Sequence, residues 1–201
     1  MSEVRRPPRK YGVMGGTFDP IHLGHLAAAN EAGHAFSLDE VVFVPTGQPW
    51  QKGDRRLAPA EDRYAMTVIA TASNPRFSVS RIEIDRPGET FTIDTARELR
   101  SQFGADAEIF LIVGADTLSR LRTWRDPEEL LSLVRFIGLS RRGHQLAENS
   151  LGADQFALLE MPALEVSSTV VRARIKTGMP VSYLVPDGVV QYIAKRGLYR
   201  D

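Results

Sequence analysis

A short apolar run, Tyr11-Gly12-Val13-Met14, passes directly into Gly15-Gly16-Thr17-Phe18-Asp19-Pro20-Ile21-His22-Leu23-Gly24-His25. The apolar run is the end of a strand, and residues 23–36 carry Leu, Ala, Asn and Glu at spacings that suit a helix. A strand that turns straight into a helix is the first half of a βαβ unit and demands a parallel partner strand. Such a turn leaves backbone N–H groups unpaired at the positive end of the helix dipole, where they attract anions. Gly15 and Gly16 let an anion approach the backbone closely. The expected guest is a nucleotide phosphate, with His22 and His25 beside it.

The remaining chain alternates short apolar runs with helix-like stretches. Strands are expected at 41–44, 77–84, 109–113, 136–139 and 156–161, and helices at 59–73, 93–103, 115–121, 127–134, 168–176 and 186–195. This order predicts an α/β fold, a Rossmann-like doubly wound parallel sheet with helices on both faces and a small C-terminal helical part. In open sheets of this class the ligand lies beyond the carboxyl ends of the strands, where strand order reverses. Residues 15–25 follow the first strand and are suitably placed. The Pro-, Gly- and Gln-containing stretch 45–59 is expected to be a long surface loop, and Gly47 and Gly53 suit a lid that closes on substrate.

Composition narrows the classes. The chain has 201 residues, of which 43% are hydrophobic, enough to bury one core, so 1–201 is expected to form one domain, with 1–9 a flexible tail and the C-terminal helical part at about 167–201. Lys plus Arg and Asp plus Glu both number 25, giving no basic surplus of the kind a nucleic-acid binder carries. No cysteine is present, which removes disulfides and thiolate metal sites and agrees with a cytoplasmic setting. The basic start, residues 1–10, is followed by no apolar stretch of membrane-spanning length. Neither nucleic acid nor membrane is therefore an expected partner, while assembly of copies into a homo-oligomer stays open.

Three further constellations bear on chemistry. In Ser167-Ser168-Thr169-Val170-Val171-Arg172 consecutive hydroxyls precede a helical run, and an arginine follows one turn later. If that helix end faces a ligand, the hydroxyls and the Arg172 fork form a second phosphate clamp; otherwise they are a helix cap. Thr92-Ile93-Asp94-Thr95 and Gly114-Ala115-Asp116-Thr117 stand where βα turns are expected, and Thr92, Asp94 and Asp116 can likewise serve as caps. Trp124 offers an aromatic face to a flat ring or packs into the core. The two histidines can be helix-end residues or a metal pair, for which only His34 and His144 and no cysteine are left as further ligands of these types.

Taken together, 15–25, 44–52, 91–95, 114–124, 167–172 and the closing 192–199 with its Gly-Leu-Tyr resemble the bacterial nicotinate mononucleotide adenylyltransferases, in the nucleotidyltransferase group that shares a His-x-Gly-His motif. The resemblance covers nearly the whole chain. It implies transfer of AMP from ATP to nicotinate mononucleotide, giving deamido-NAD and pyrophosphate in NAD biosynthesis, with Mg2+ bound mainly through ATP phosphates; the sequence names no protein ligand for the ion. It also implies catalytic roles for His22, His25 and Arg172. ATP is expected on Gly15, Gly16, Thr17, Phe18, His22, His25, Asp116, Ser167, Ser168, Thr169 and Arg172. Nicotinate mononucleotide is expected on Lys52, Thr92, Asp94, Trp124 and Arg125. Two departures stand out: Trp50-Gln51 replaces the usual Pro-His before the basic residue, and Phe91 stands where Tyr is common. Adenylyl transfer to nicotinamide mononucleotide or phosphopantetheine, and a non-catalytic ATP-binding module, are the alternatives.

Overall fold

In the computed structural model, residues 7–49, 57–141, 155–161 and 164–200 are described. The strands are β1 (Lys10–Gly16), β2 (Glu40–Pro45), β3 (Gln48–Pro49), β4 (Phe77–Val79), β5 (Glu89–Thr90), β6 (Glu108–Gly114), β7 (Arg135–Arg141) and β8 (Phe156–Met161). The α-helices are α1 (Leu23–Ala35), α2 (Ala60–Thr71), α3 (Ile82–Asp85), α4 (Thr92–Phe103), α5 (Ala115–Leu118), α6 (Pro127–Leu133), α7 (Ser168–Lys176) and α8 (Asp187–Arg196).

Six strands form one sheet in the order β4-β2-β1-β6-β7-β8. Every pairing in it is parallel. The chain builds outward from β1 in one direction, returns, and builds outward from β6 in the other. The order therefore reverses between β1 and β6, the position at which an open parallel sheet leaves a crevice.

Alternation along the central strands assigns each face its core. Met14, Val41, Phe43, Phe110 and Ile112 point to one side, where Ala28, Ala29, Ala32, Val171, Val189 and Ile193 join them. Val13, Val42, Val44, Ile109 and Leu111 point to the other, against Ile93, Ala96, Leu99, Leu121 and Leu130. Helices thus cover both faces, as the near-continuous apolar strands require. The C-terminal helices α7 and α8 share the first of these cores rather than forming one of their own.

The short side chains Ala28, Ala29, Ala32 and Gly33 are the buried face of α1, so this helix lies close on the sheet. Gly12 answers them from β1, since a Cβ there would stand 2.7 Å from a methyl of Leu38 and 3.0 Å from one of Ile112.

One expected element divides. Residues 77–84 form β4 only as far as Val79, and the backbone then coils into α3. Ser80, at the break, donates its N–H to Phe43 O, and its hydroxyl accepts from Ile82 N at 3.3 Å, which starts the turn that the alternating pattern conceals. The two-residue strands β3 and β5 pair as a small parallel ribbon apart from the main sheet. Among the described residues no helix is long and apolar enough to cross a membrane.

Candidate active site

A cavity of about 610 Å³ opens at the switch point. That is ample for a small-molecule site. Gly15, Gly16 and Thr17 at the end of β1, and Gly114 and Thr117 at the end of β6, line its centre. His22, Gly24 and His25 line one side; Thr46, Glu83, Thr90, Phe91, Thr92, Thr95, Trp124 and Arg125 line the other. Eight of the expected residues are thereby brought into one space: Gly15, Gly16, Thr17, His22, His25, Thr92, Trp124 and Arg125.

The histidine side is held rigidly. His22 is the extended residue before α1, and its N–H donates to Nδ1 of His25 at 3.2 Å. The two rings stack with centroids 3.7 Å apart. Because Nδ1 of His25 accepts, the proton of its neutral ring sits on Nε2. Burial pushes His22 down to about 4. Burial, and then the neighbouring His22, push His25 down to about 3. Both rings are therefore neutral near pH 7. Nδ1 of His22 is buried without a hydrogen-bond partner.

Phe18 does not face the cavity. It is 1% exposed in the left-handed region, φ 46°, with its ring edge-on to His25 at 5.1 Å and tilted against Phe43 at 5.8 Å. Its ring fixes the histidine from behind. Gly16 makes room for it, since a Cβ there would meet the Phe18 ring at 3.1 Å.

The Ser167–Arg172 segment grips the turn itself. Ser167 caps α7, its Oγ accepting from Val170 N at 3.3 Å. Ser168 donates to Pro20 O at 2.9 Å, and Arg172 donates to Asp19 O and, at 3.0 Å, to Thr169 Oγ1. Residues 164–166 reach the cavity wall just ahead of them. Ser167 is thus a helix cap, and Ser168, Thr169 and Arg172 sit against the 17–25 turn without lining the cavity.

Asp19 lies beneath the turn, 1% exposed. Its Oδ1 accepts from Tyr199 at 2.8 Å and from Ala58 N at 3.2 Å, and its Oδ2 lies 3.6 Å from Arg172. The C-terminal Tyr199 therefore reaches back across the whole chain to brace the motif.

On the opposite side α4 begins at the cavity, with Phe91 as its extended N-cap and Thr92 as its first residue. Arg125 lies over the Phe91 ring at 4.7 Å, and Trp124 packs edge-on to Phe136 at 6.5 Å while also lining the cavity. Glu83 is buried there and accepts from Thr95 Oγ1 at 2.7 Å. Burial pushes its carboxyl up, opposed by hydrogen bonds from Thr95, Thr90 and Thr46 and by the charge of Arg86.

Two more of the expected side chains lie away from the cavity. Asp94 accepts from Arg97 at 2.9 Å on the outer side of α4, because the residue two beyond Thr92 has rotated past the cavity. Asp116 is exposed in the first turn of α5, and Gly114 and Thr117 line the cavity in its place. Lys52 lies outside the described residues, as do Trp50 and Gln51.

Sequence reasoning passed over Glu83, Thr46, Thr90 and Arg63, and took Thr95 only as part of the 92–95 constellation. A Glu in an expected strand or an Arg in an expected helix carries no local mark distinguishing it from a solvated charge, and the burial that makes these distinctive is a tertiary property.

Residues 13–174 match the family model described as cytidylyltransferase-like. The protein of Acidothermus cellulolyticus named "Probable nicotinate-nucleotide adenylyltransferase" is 60% identical over 95% of this chain and 94% of its own. A protein of the same name from Streptomyces coelicolor is 62% identical over 93% of this chain and 99% of its own. Among solved structures, Plasmodium falciparum nicotinic acid mononucleotide adenylyltransferase complexed with NaAD superposes with a TM-score of 0.75 at 18% identity, covering 95% of this chain and 97% of that one. The same Plasmodium enzyme complexed with APC gives 0.74 at 17% identity, with 95% and 97% covered. These two structures carry the likeness of fold.

Proposed function

Since the chain belongs to the nicotinate-nucleotide adenylyltransferase family, within the cytidylyltransferase-like group, we propose that it transfers the AMP part of MgATP to the 5′-phosphate of nicotinate mononucleotide, forming deamido-NAD and pyrophosphate in NAD biosynthesis. One observation carries the assignment of parts. A single cavity at the switch point has a buried histidine turn on one side and, on the other, the start of α4 with Trp124.

The acceptor phosphate is an anion at neutral pH and attacks the α-phosphorus of ATP in line with the departing pyrophosphate. Charge spreads over the phosphorus oxygens as it does so. No general base is needed, and two histidines held near 4 and 3 would donate rather than accept. Nε2–H of His25 is the donor its tautomer leaves free to face the nucleotide. The approach of a triphosphate favours protonation of either ring, so negative charge and donor strength rise together.

Gly15, Gly16 and Thr17 take the nucleotide at the turn. Ser168, Thr169 and Arg172 act at its edge, where Arg172 already holds the Asp19 carbonyl. Magnesium is read as part of the substrate MgATP, liganded by phosphate oxygens and water. At the far side the pyridine ring lies against Trp124, and its carboxylate meets the positive end of α4 at Thr92 near Arg125. An anion gains there what a neutral amide does not.

The stereochemical course tests the mechanism. With ATP made chiral at the α-phosphorus by sulfur and labelled oxygen, a single displacement inverts configuration. Retention would require an adenylyl-enzyme and would overturn the direct attack.

A further inference from the structure

We propose that Arg63, which touches neither substrate site directly, is the positioning residue that holds the phosphate turn and the pyridine side of the cavity in one frame. The inference rests on the assignment of the two sides given above.

Arg63 is 2% exposed, on the first turn of α2. Its three donors diverge to three different segments. Nη1 donates to Thr17 O at 2.8 Å, Nη2 to Gly47 O at 3.0 Å, and Nε to Ala58 O at 3.0 Å. All three acceptors are main-chain carbonyls, so the guanidinium fixes backbone positions, while its charge is also felt by the buried carboxylates of Asp19 and Glu83. Thr17 is in the phosphate turn and lines the cavity. Ala58 returns to the same turn, donating its N–H to Asp19 Oδ1 at 3.2 Å.

Gly47 continues the link to the other side. A Cβ at Gly47 would stand 2.1 Å from the carbonyl oxygen of Glu83, so the two backbones are in contact. Glu83 in turn accepts from Thr95 Oγ1 at 2.7 Å, and Thr95 lies in the first turn of α4 and on the cavity wall. The series Thr17, Arg63, Gly47, Glu83, Thr95 therefore runs from the nucleotide turn to the helix end assigned to the pyridine carboxylate. A planar fork is suited to three diverging carbonyls, and an ammonium group at a single point is not.

The test compares the whole protein with Arg63→Lys, Gly47→Ala and the double variant. For each, kcat and both KM values are measured per folded molecule well below its Tm, and ATP affinity is measured separately by calorimetry. Lysine leaves at least one of the carbonyls without its donor. Arg63→Lys should raise KM for both nucleotides and lower kcat, by up to about 100-fold, the effect of misplacing reacting groups by about 1 Å. A merely structural Arg63 would lower Tm and leave kcat and both KM values of the folded fraction unchanged, overturning the proposal.

Gly47→Ala displaces the pyridine end. With Arg63 intact it should also raise KM for ATP; with Arg63→Lys it should affect the pyridine nucleotide alone. If Gly47→Ala spares ATP in the presence of Arg63, the link is refuted, and this arm decides the matter even if Arg63→Lys fails to fold. Should the unaltered protein release no pyrophosphate with nicotinate mononucleotide, the assignment of acceptor fails. The link is then judged by whether both single variants weaken ATP binding, as it requires, or leave it intact, as it forbids.

Discussion

Replacing Tyr199 by Phe removes one hydroxyl at the far end of the chain and is expected to loosen the nucleotide turn. Its donor bond to Asp19 Oδ1 is 2.8 Å long, and Asp19 is 1% exposed. The other carboxylate oxygen, Oδ2, is buried with no hydrogen bond of its own, its nearest cation being Arg172 at 3.6 Å. Loss of the hydroxyl leaves Oδ1 with only the Ala58 N–H. A hydrogen bond to a charged group contributes about 1.5–3 kcal/mol, so a loss of about 2 kcal/mol is expected. For a chain of this size that lowers Tm by roughly 4–8 °C. Tyr192→Phe is the internal control. Tyr192 also donates to a buried carboxylate, Asp62, at 2.8 Å, but Arg196 donates to the same oxygen at 2.9 Å and remains after the change. Its cost should be about half or less. Calorimetric unfolding of the two variants beside the unaltered chain gives both numbers. A Tyr199→Phe shift under about 1 °C, or no larger than that of Tyr192→Phe, would refute the bracing role.

His22→Ala is expected to fold with a Tm near that of the parent and to lose about two to three orders of magnitude in turnover, the usual effect of removing one transition-state donor; near-normal pyrophosphate release would remove His22 from the chemistry. Acid should destabilise the fold through the same pair. Their folded-state pKa values, about 4 and about 3, lie below the 6.5 of the unfolded chain, so their stabilisation is complete above pH 6.5 and is lost as pH falls toward 4. Each histidine contributes up to about 1.4 kcal/mol per pH unit across that window, and denaturant titrations of the His22→Asn/His25→Gln double variant should show a shallower fall; an unchanged slope would contradict the buried neutral pair. Gly12→Ala puts a methyl 2.7 Å from Leu38 and should cost about 1–3 kcal/mol of unfolding free energy by denaturant titration, whereas the same change at Gly15, with nothing within 4 Å, should be close to neutral.

The fold was legible where apolar runs and helix periodicity followed each other without interruption. β1, β2, β6, β7 and β8 each stand close to where alternation or a continuous apolar run places them. The stretch 77–84 was misleading because Phe77-Ser78-Val79-Ser80 continues smoothly into Ile82-Glu83-Ile84, and only the Ser80 turn separates strand from helix. At the site, glycines and histidines crowded into one turn could be read directly, and Gly15, Gly16, His22 and His25 do line one cavity. Ser167 and Arg172 carried two meanings in sequence, cap and clamp; the cap is what the hydrogen bonds display, with Arg172 held on the Asp19 carbonyl. Arg63 and Glu83 were illegible. Arg63 sits among ordinary helical polar residues and Glu83 in a stretch whose alternation suggests the solvent face of a strand, and the significance of each comes from backbone carbonyls or threonine hydroxyls brought in from distant segments.

The most direct single measurement is the ratio of kcat/KM for nicotinate mononucleotide to that for nicotinamide mononucleotide, read as pyrophosphate released from MgATP, with phosphopantetheine as a third acceptor. A site that joins the start of α4 to Trp124 and Arg125 should favour the acid by at least about tenfold, equivalent to about 1.4 kcal/mol of carboxylate recognition. Equal rates with the amide, or release only with phosphopantetheine, would contradict the assignment of that side of the cavity.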